Sequence, residues 1–513
     1  MEEFLLLNPF LCFLTAASLL AWFVLQWRRI NQHQGLQPPS PPRLPILGNL
    51  HQLSPLTHRS FHALGAKYGP IMLLHLGRLP VIIVQSSAAA AEIMKTHDLV
   101  FADKPGSGTM RKLFYNHKDI SVAPYGEYWR KLKSICILQL LSCKRVQSFH
   151  FIREEEIALL VEKIKACCRS SSPVNLSELF TSFTYDVICR ASCGRKYSEG
   201  EDGWRFPRLL TQVMELVGSM NVGEYVPWLW WIDSITGFNR RVNRVAKEVD
   251  EFLEMVIQDH LNSRRLEIGE SGHGNHEDSF VGILHNIYAD NIIDRDGIKA
   301  IILDMFAGGT ETAAAALEWT MTELLRHPNV MNKLKCEVRA ILKDKNHTIS
   351  ITNDDLEQMH YLRAVVKETL RIHPPIAFMS RLARQDVKVM GYDIPAGTMV
   401  ILNAWAVGRD PASWDEPDTF KPERFVGSSI DFKGVDFELI PFGAGRRGCP
   451  GIGFAMANIE LVLANLINKF EWELPNLEGL DTTEQPGVTT HRKNPLFAVA
   501  TELRLNSRKI EIA

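Results

Sequence analysis

The stretch "PFGAGRRGCPG", residues 441–451, supports two incompatible folds. Gly443, Gly445 and Gly448 spell G-x-G-x-x-G, the spacing that seats a dinucleotide pyrophosphate at a helix N-terminus. Cys449, beside Arg446 and Arg447, suits instead a thiolate held ready for a metal. The flanks admit the first reading, since "FELIPF" is strand-like, "GFAMANIELVLANLINKF" is helix-like and Glu471 opens a further strand-like stretch. Yet only 62 residues of the 513 follow Gly451, and the strand–helix alternation of a doubly wound sheet does not continue. The thiolate reading employs more of the side chains. Two arginines and the N-terminus of the next helix favour ionised sulfur, and Pro450 suits a first helical turn. The glycines let the backbone pass close beneath a flat ligand.

A thiolate on haem iron pushes electron density to the metal and favours O–O cleavage, which calls for oxygen-handling groups elsewhere in the chain. The helical pattern from about Gly297 to Arg326 contains "DMFAGGTETAAAALEW". Two adjacent glycines in a helix interior cost about 1 kcal/mol each relative to alanine, so something requires Gly308 and Gly309. One account is removal of side-chain bulk where a diatomic ligand sits, with Glu311 and Thr312 as acid and hydroxyl for proton delivery. The other is close helix packing, with Thr312 bonded back to its own helix. The sequence leaves both open.

Glu368 and Arg371 form an E-x-x-R pair on one face of the helix pattern "HYLRAVVKETLRIHP". Glu127–Arg130 and Glu323–Arg326 match the same string, and such pairs are usually solvated contacts of little worth. Only its place ahead of "FKPERF" (420–425) and the cysteine stretch singles out the first.

The remainder of the chain sets the context. Lys and Arg total 57 against 59 Asp and Glu, a balance that speaks against nucleic-acid binding. Nine cysteines without a C-x-x-C pair fit reduced thiols rather than a disulfide scaffold or a zinc site. Phe4 to Trp27 carries no charge and exceeds the roughly 20 residues that span a bilayer core, so residues 1–30 read as a membrane anchor. Glu2 and Glu3 precede it and Arg28 and Arg29 follow, which orients the rest of the chain to the cytosol. A proline-rich hinge, "QPPSPPRLPILGNLHQL", occupies residues 31–50 with its neighbours, and residues 51–513 read as one body. Helical periodicity dominates that body, at 153–168 and 329–343 for example. Strand-like runs in it are few and short, such as those near 71–86 and 398–407.

In order and spacing these segments resemble the cytochrome P450 superfamily of haem-thiolate monooxygenases. The resemblance spans practically the whole chain: anchor, proline hinge, Trp129 in "YWRKLK", "AGGTET", E-x-x-R, "PERF", and F-x-x-G-x-R-x-C-x-G carried by Phe442, Gly445, Arg447, Cys449 and Gly451. It is most similar to the plant endoplasmic-reticulum group of specialised metabolism. The resemblance implies a mainly α fold with small β-sheets (α+β) and a single catalytic domain behind an N-terminal transmembrane helix.

It also implies haem b, with Cys449 as the metal ligand. Trp129, Lys133, Arg381, Phe442, Arg447 and Gly451 would bind the cofactor, Glu311 and Thr312 would serve catalysis, and Glu368, Arg371 and Arg424 would form a buried network. Met305, Gly308, Ala377, Phe378 and Val488 would line the substrate pocket. Lys133 stands where the family usually has arginine, so a propionate contact there would be single-pronged, and Ala313 replaces the common hydroxyl residue after the threonine.

Implied partners are an NADPH-cytochrome reductase, the endoplasmic reticulum membrane and a small hydrophobic substrate: a terpenoid, alkaloid, coumarin or other phenolic. A cluster of Lys131, Lys133, Lys144, Arg145 and Arg446 would dock the reductase. A haem-thiolate isomerase or dehydratase, or a non-catalytic haem sensor, are the other classes, and Thr312 speaks against the isomerase.

Overall fold

The computed structural model describes Ser18 and residues 36–198, 205–219, 221–267, 279–289, 293–343, 351–475 and 480–503. The expected anchor lies outside them apart from Ser18. The two strand-like runs near residue 80 form a hairpin, β1 (Ile71–Leu76) antiparallel to β2 (Leu79–Val84). Next to β2 in parallel lies β4 (Met399–Leu402), and β4's other edge takes β3 (Met379–Leu382) antiparallel, giving the order β1-β2-β4-β3. Val81 to Val84 are buried in succession, because a strand flanked by neighbours and covered on both faces loses the alternating pattern.

Two strand-like readings need correction. The run at 398–407 stops being a strand at Leu402 and becomes a helical turn, Ala404–Val407. Asn403 enforces the switch: its side chain accepts the Ala406 N–H at 3.2 Å and donates to the His58 carbonyl at 2.8 Å. "FELIPF" forms no strand, which removes the first β element the dinucleotide reading needed.

Helices fill the rest of the body. They include α1 (Glu127–Ile135), α2 (Leu176–Cys193), the 32-residue α3 (Arg295–Arg326), α4 (His360–Ile372) and α5 (Ile452–Lys469). α3 runs through the core and packs against α2, α4 and α5, which is why Leu303, Phe306, Leu317, Trp319 and Leu324 on different sides of it are all buried. It is also the one helix among the described residues long and apolar enough to cross a membrane, but two-thirds of its apolar window is buried inside the protein. After α5 the chain turns into β5 (Phe470–Glu473), the short hairpin β6 (Glu484–Gln485) and β7 (His491–Arg492), and β8 (Phe497–Glu502), which pairs antiparallel with β5.

The proline segment is strapped to this body from Leu36 onward. Leu36 and Asp393 exchange hydrogen bonds, the Pro39 carbonyl accepts the Leu73 N–H at 2.9 Å, and the buried Asn49 side chain reaches the carbonyls of Pro41 and Pro42. Proline cannot donate from its own nitrogen, so the strap is held through its carbonyls.

Of the three E-x-x-R strings, one is buried. Arg371 donates through Nε and Nη2 to the two Glu368 oxygens at 2.7 and 2.9 Å, and both side chains are shut off from solvent. Glu368 also accepts from Arg424 Nε at 3.0 Å and from the Lys421 N–H at 2.7 Å. The spare guanidinium protons go to carbonyls of Gly408, Pro417 and Thr419 from Arg371, and of Asp415 and Glu416 from Arg424. α4 thereby grips the whole irregular stretch 408–424. Glu323 does pair with Arg326, but that arginine is 41% exposed, while Glu127 pairs with Lys131 on the surface instead of Arg130. Removing one partner of a buried ion pair costs about 3–5 kcal/mol, whereas exposed substitutions stay within about 0.5 kcal/mol. Glu368→Ala is therefore expected to lower the denaturation midpoint severely and Glu127→Ala hardly at all; equal midpoints would refute the network's role.

Candidate active site

The cysteine loop is closed on itself before it meets anything else. The Cys449 N–H donates to the Phe442 carbonyl at 3.0 Å, and the Gly451 N–H donates to Cys449 Sγ at 3.3 Å. Gly451 is the N-cap of α5, so the expected dipole contribution is present, but helical residues begin at Ile452 and Pro450 stands one residue ahead of the cap instead of in the first turn. Gly445, at φ +67°, lies so close to its neighbours that a Cβ would sit 2.4 Å from the Met94 carbonyl oxygen, which admits only glycine. Phe442 packs edge-on against Phe432 with ring centroids 5.4 Å apart.

The charges around the thiol are not the expected ones. Arg446 turns outward to Asp98 at 3.1 Å, and Arg447 is spent on the carbonyls of Ala102, Ile120 and Ala123. Lys133 and Lys104 favour the ionised sulfur instead, together with the Gly451 N–H, but burial dominates and pushes the thiol up. Cys449 nonetheless keeps open surface. Lys133 donates to the carbonyls of Arg446 and Gly448, the latter at 3.1 Å, and so clasps the loop itself.

Nearby lie three cations that form no ion pair among the described residues, though Asp98, Asp103, Asp119 and Asp304 act on them at longer range. Arg381 is 2% exposed and donates only to the Ser380 carbonyl and towards the Met94 sulfur. Arg447 lies over the Trp129 ring with its guanidinium carbon 4.3 Å from the centroid, while the Trp129 indole donates to the Ile120 carbonyl at 3.0 Å. Lys104 makes no hydrogen bond or ion pair. Burial first, then Arg381 and Arg447, push it down to about 7, and both arginines fall to about 10, chiefly through burial. Unpaired buried cations are costly, so the site is built to receive a ligand with carboxylates. An open thiol beside such a cage fits a flat, iron-bearing, doubly anionic group. Lys104 was missed in the sequence because nothing near it in "FADKPGSG" marks it; only folding brings it to Arg381 and Arg447.

On α3 the two glycines separate. A Cβ on Gly308 would meet nothing within 4 Å, whereas one on Gly309 would lie 3.0 Å from Ile188 Cδ1 of α2. Gly308 thus opens onto free space as expected, and Gly309 is there for close helix packing. Thr312 donates to the Gly308 carbonyl at 2.7 Å, the back-bonded arrangement, with its side chain still partly open. Glu311 points to the other side, its Oε2 3.9 Å from His491 Nε2. Of the pocket residues, Met305 and Ala377 are buried, Phe378 packs edge-on against Phe61 in the core of the small sheet, and Val488 closes against Gly218.

A family model for cytochrome P450 matches residues 38–499. The chain belongs to the cytochrome P450 family. It is 53% identical over 480 residues to cytochrome P450 71A8 of Mentha piperita, which covers 92% of this chain and 91% of that one. It is 51% identical over 479 residues to cytochrome P450 736A117 of Prunus mume, with 92% of each covered. The tabersonine/lochnericine 19-hydroxylase of Catharanthus roseus shares 47% over 476 residues, 91% of this chain and 93% of its own. A zebrafish cytochrome P450 solved with progesterone superposes with a TM-score of 0.74 at 22% identity, over 86% of this chain and 99% of that one, which shows the common fold. As a plant P450 the protein is a haem-containing monooxygenase, with electrons from NADPH supplied through a reductase.

The glycine pair gives a test of the P450's central helix. Gly308→Ala gains about 1 kcal/mol of helix propensity at no steric cost, whereas Gly309→Ala must displace buried Ile188, and overpacking costs roughly 1–3 kcal/mol. The thermal midpoint is expected to rise in the first variant and fall in the second; the reverse order would overturn the assignment.

Proposed function

We propose that Cys449 is the axial thiolate and that Arg381, Arg447 and Lys104, with Trp129 stacked beneath Arg447, form the cage for the haem propionates. The observation that carries this reading is the set of buried and half-buried cations without an ion-pair partner among the described residues, beside a desolvated thiol. Phe442 and Gly451 hold the sulfur by accepting and donating the two hydrogen bonds that flank it, and Lys133 locks the loop rather than reaching a propionate. Glu368, Arg371 and Arg424 serve the scaffold.

Haem bound to a thiolate supplies oxygen activation. The protein's own part is to hold substrate in the apolar space around Met305, Gly308, Ala377, Phe378 and Val488 and to bring protons through Glu311 and Thr312. Thr312 must release the Gly308 carbonyl to donate elsewhere, a loss of about 1 kcal/mol that any better acceptor offsets. The substrate is a small hydrophobic plant specialised metabolite. A relative named as a 19-hydroxylase supports insertion of a single oxygen atom.

Attachment to the endoplasmic reticulum through residues 1–30 gains support from the body's surface. Trp228, Trp230, Trp231 and Ile235 are exposed by 54%, 64%, 47% and 76%, and so are Leu44, Ile46 and Leu47 of the proline strap. Both patches are tied to one turn, since the Gly77 N–H reaches the Leu47 carbonyl and the Arg78 N–H the Tyr225 carbonyl. Tryptophans so placed suit a lipid interface. The reductase docks on the opposite chemistry, the basic rim of Lys131, Lys144, Arg145 and Arg446 around the cysteine loop.

Two measurements test this. In Thr312→Ala, haem incorporation stays intact while product per NADPH falls and peroxide rises, in line with the roughly 10²-fold contribution of a positioned proton donor. An unchanged product-to-NADPH ratio would remove Thr312 from proton delivery. The second concerns Lys104, which burial, Arg381 and Arg447 push down to about 7 against the pull of Asp119 and Asp304. A propionate raises that value, so haem binding takes up a proton above about pH 7 and affinity falls as pH rises through that window. Haem transfer to apomyoglobin is expected to quicken with pH in the native protein and to be flatter in Lys104→Gln; identical slopes would exclude Lys104 from the cage.

A further inference from the structure

A cavity lies along α3 next to Glu311, with His491 and not Glu311 among its walls. Its walls are Ser177 and Thr181 of α2, Ala314 and Glu318 of α3, and His491 and Arg492 of the β6–β7 hairpin. Glu311, Ala314 and Glu318 fall at i, i+3 and i+7, a single stripe of α3, so the cavity lies on the same helix face as Glu311, one turn further along.

Most polar groups on these walls are already committed. Glu318 is 5% exposed and accepts from the Ser177 hydroxyl, and its burial favours the protonated form. Arg492, equally buried, donates to the Thr322 hydroxyl at 2.9 Å and the Asn494 carbonyl at 3.2 Å. His491 differs: its ring is 31% exposed, and its Nε2 stands 3.9 Å from Glu311 Oε2, whose side chain is 14% exposed. Imidazole both takes and gives a proton near neutral pH, and this one has water on one side and the acid on the other.

We propose that His491 is the solvent-side proton donor that reloads Glu311, and that the cavity between α2, α3 and the β6–β7 hairpin is its water inlet. The step moves one proton and no electrons. Nε2–H passes its proton to the Glu311 carboxylate, directly or across one water, Glu311 releases a proton towards Thr312, and His491 recovers one from cavity water. The charged groups facing His491 are Glu311, Glu318, Arg492 and Lys493, so a cationic ring is offset chiefly by Glu311, burial holding Glu318 towards its protonated form, and opposed by Arg492 and Lys493. The inference rests on the monooxygenase reading of Glu311 and Thr312.

The test separates charge from proton transfer by comparing His491→Gln with His491→Arg in the full-length haem protein with its reductase. Arginine keeps a cation beside Glu311 but holds its proton. Both variants are expected to lower product per NADPH by about 10-fold, short of the roughly 10²-fold that a donor at the reacting atom contributes, and to enlarge the solvent deuterium isotope effect. A readout independent of turnover is the ¹⁵N spectrum of histidine-labelled protein in the carbon monoxide complex. The imidazole signal missing in His491→Gln should move in Glu311→Gln and stay in place in Thr312→Ala. If His491→Arg couples like the native enzyme, or the imidazole signal ignores Glu311→Gln, the relay is wrong. If Thr312→Ala itself leaves coupling untouched, the failure lies in the monooxygenase reading of α3 instead.

Discussion

The Glu368 carboxylate is the one charge on which the catalytic face depends. Lacking water, it is satisfied by two guanidinium groups and a backbone N–H, and each guanidinium then spends its remaining protons on carbonyls of the stretch 408–424. That stretch has little regular structure, so its own N–H and C=O groups cannot close ladders. A buried ion pair in place of an apolar contact adds little net stability, but it fixes where an otherwise shapeless segment lies. The cysteine loop follows this segment in the chain and inherits its position.

The opposite arrangement prevails at the cage. Arg381, Arg447 and Lys104 are brought together by β3, the cysteine loop and the chain before α1, and among the described residues no carboxylate forms an ion pair with them. Within one protein, one cluster of buried charge is complete and the other is left open. The first ties down the scaffold; the second suits the anionic group proposed for it. Burial likewise pushes the Cys449 thiol up, against the Gly451 N–H, Lys133 and Lys104.

How much of this the sequence disclosed follows from whether the deciding contact is local. The cysteine loop and α5 were legible because hydrogen bonds from Cys449 to Phe442 and from Gly451 to Cys449 join near neighbours. The helix pattern at 297–326 was legible because apolar residues recur along its whole length. What failed to show depended on distant partners. Three identical E-x-x-R strings differ only in what folds over them. Arg446 looked like a companion of the thiolate until Asp98, 348 residues away, claimed it. Gly309 looked like Gly308 until Ile188 was placed beside it. Lys104 and His491 sit in stretches without a motif, and their chemistry exists only in three dimensions.

The central helix α3 resolves a conflict between packing and reactivity by assigning them to different faces. Trp319 and Leu317 are sealed in the core, Gly309 presses on α2, and Gly308 alone gives the active-site side its room. Thr312 and Glu311 are adjacent in sequence and so point about 100° apart on an α-helix of 3.6 residues per turn. One therefore reaches the side of Gly308, and the other reaches the β6–β7 hairpin. In the proposed relay these two neighbours would hand a proton from one side of the helix to the other. Such a division asks that α3 be straight and immobile at this point. The tight seat of Gly309 against Ile188 supplies that rigidity one turn before the pair it must hold in register.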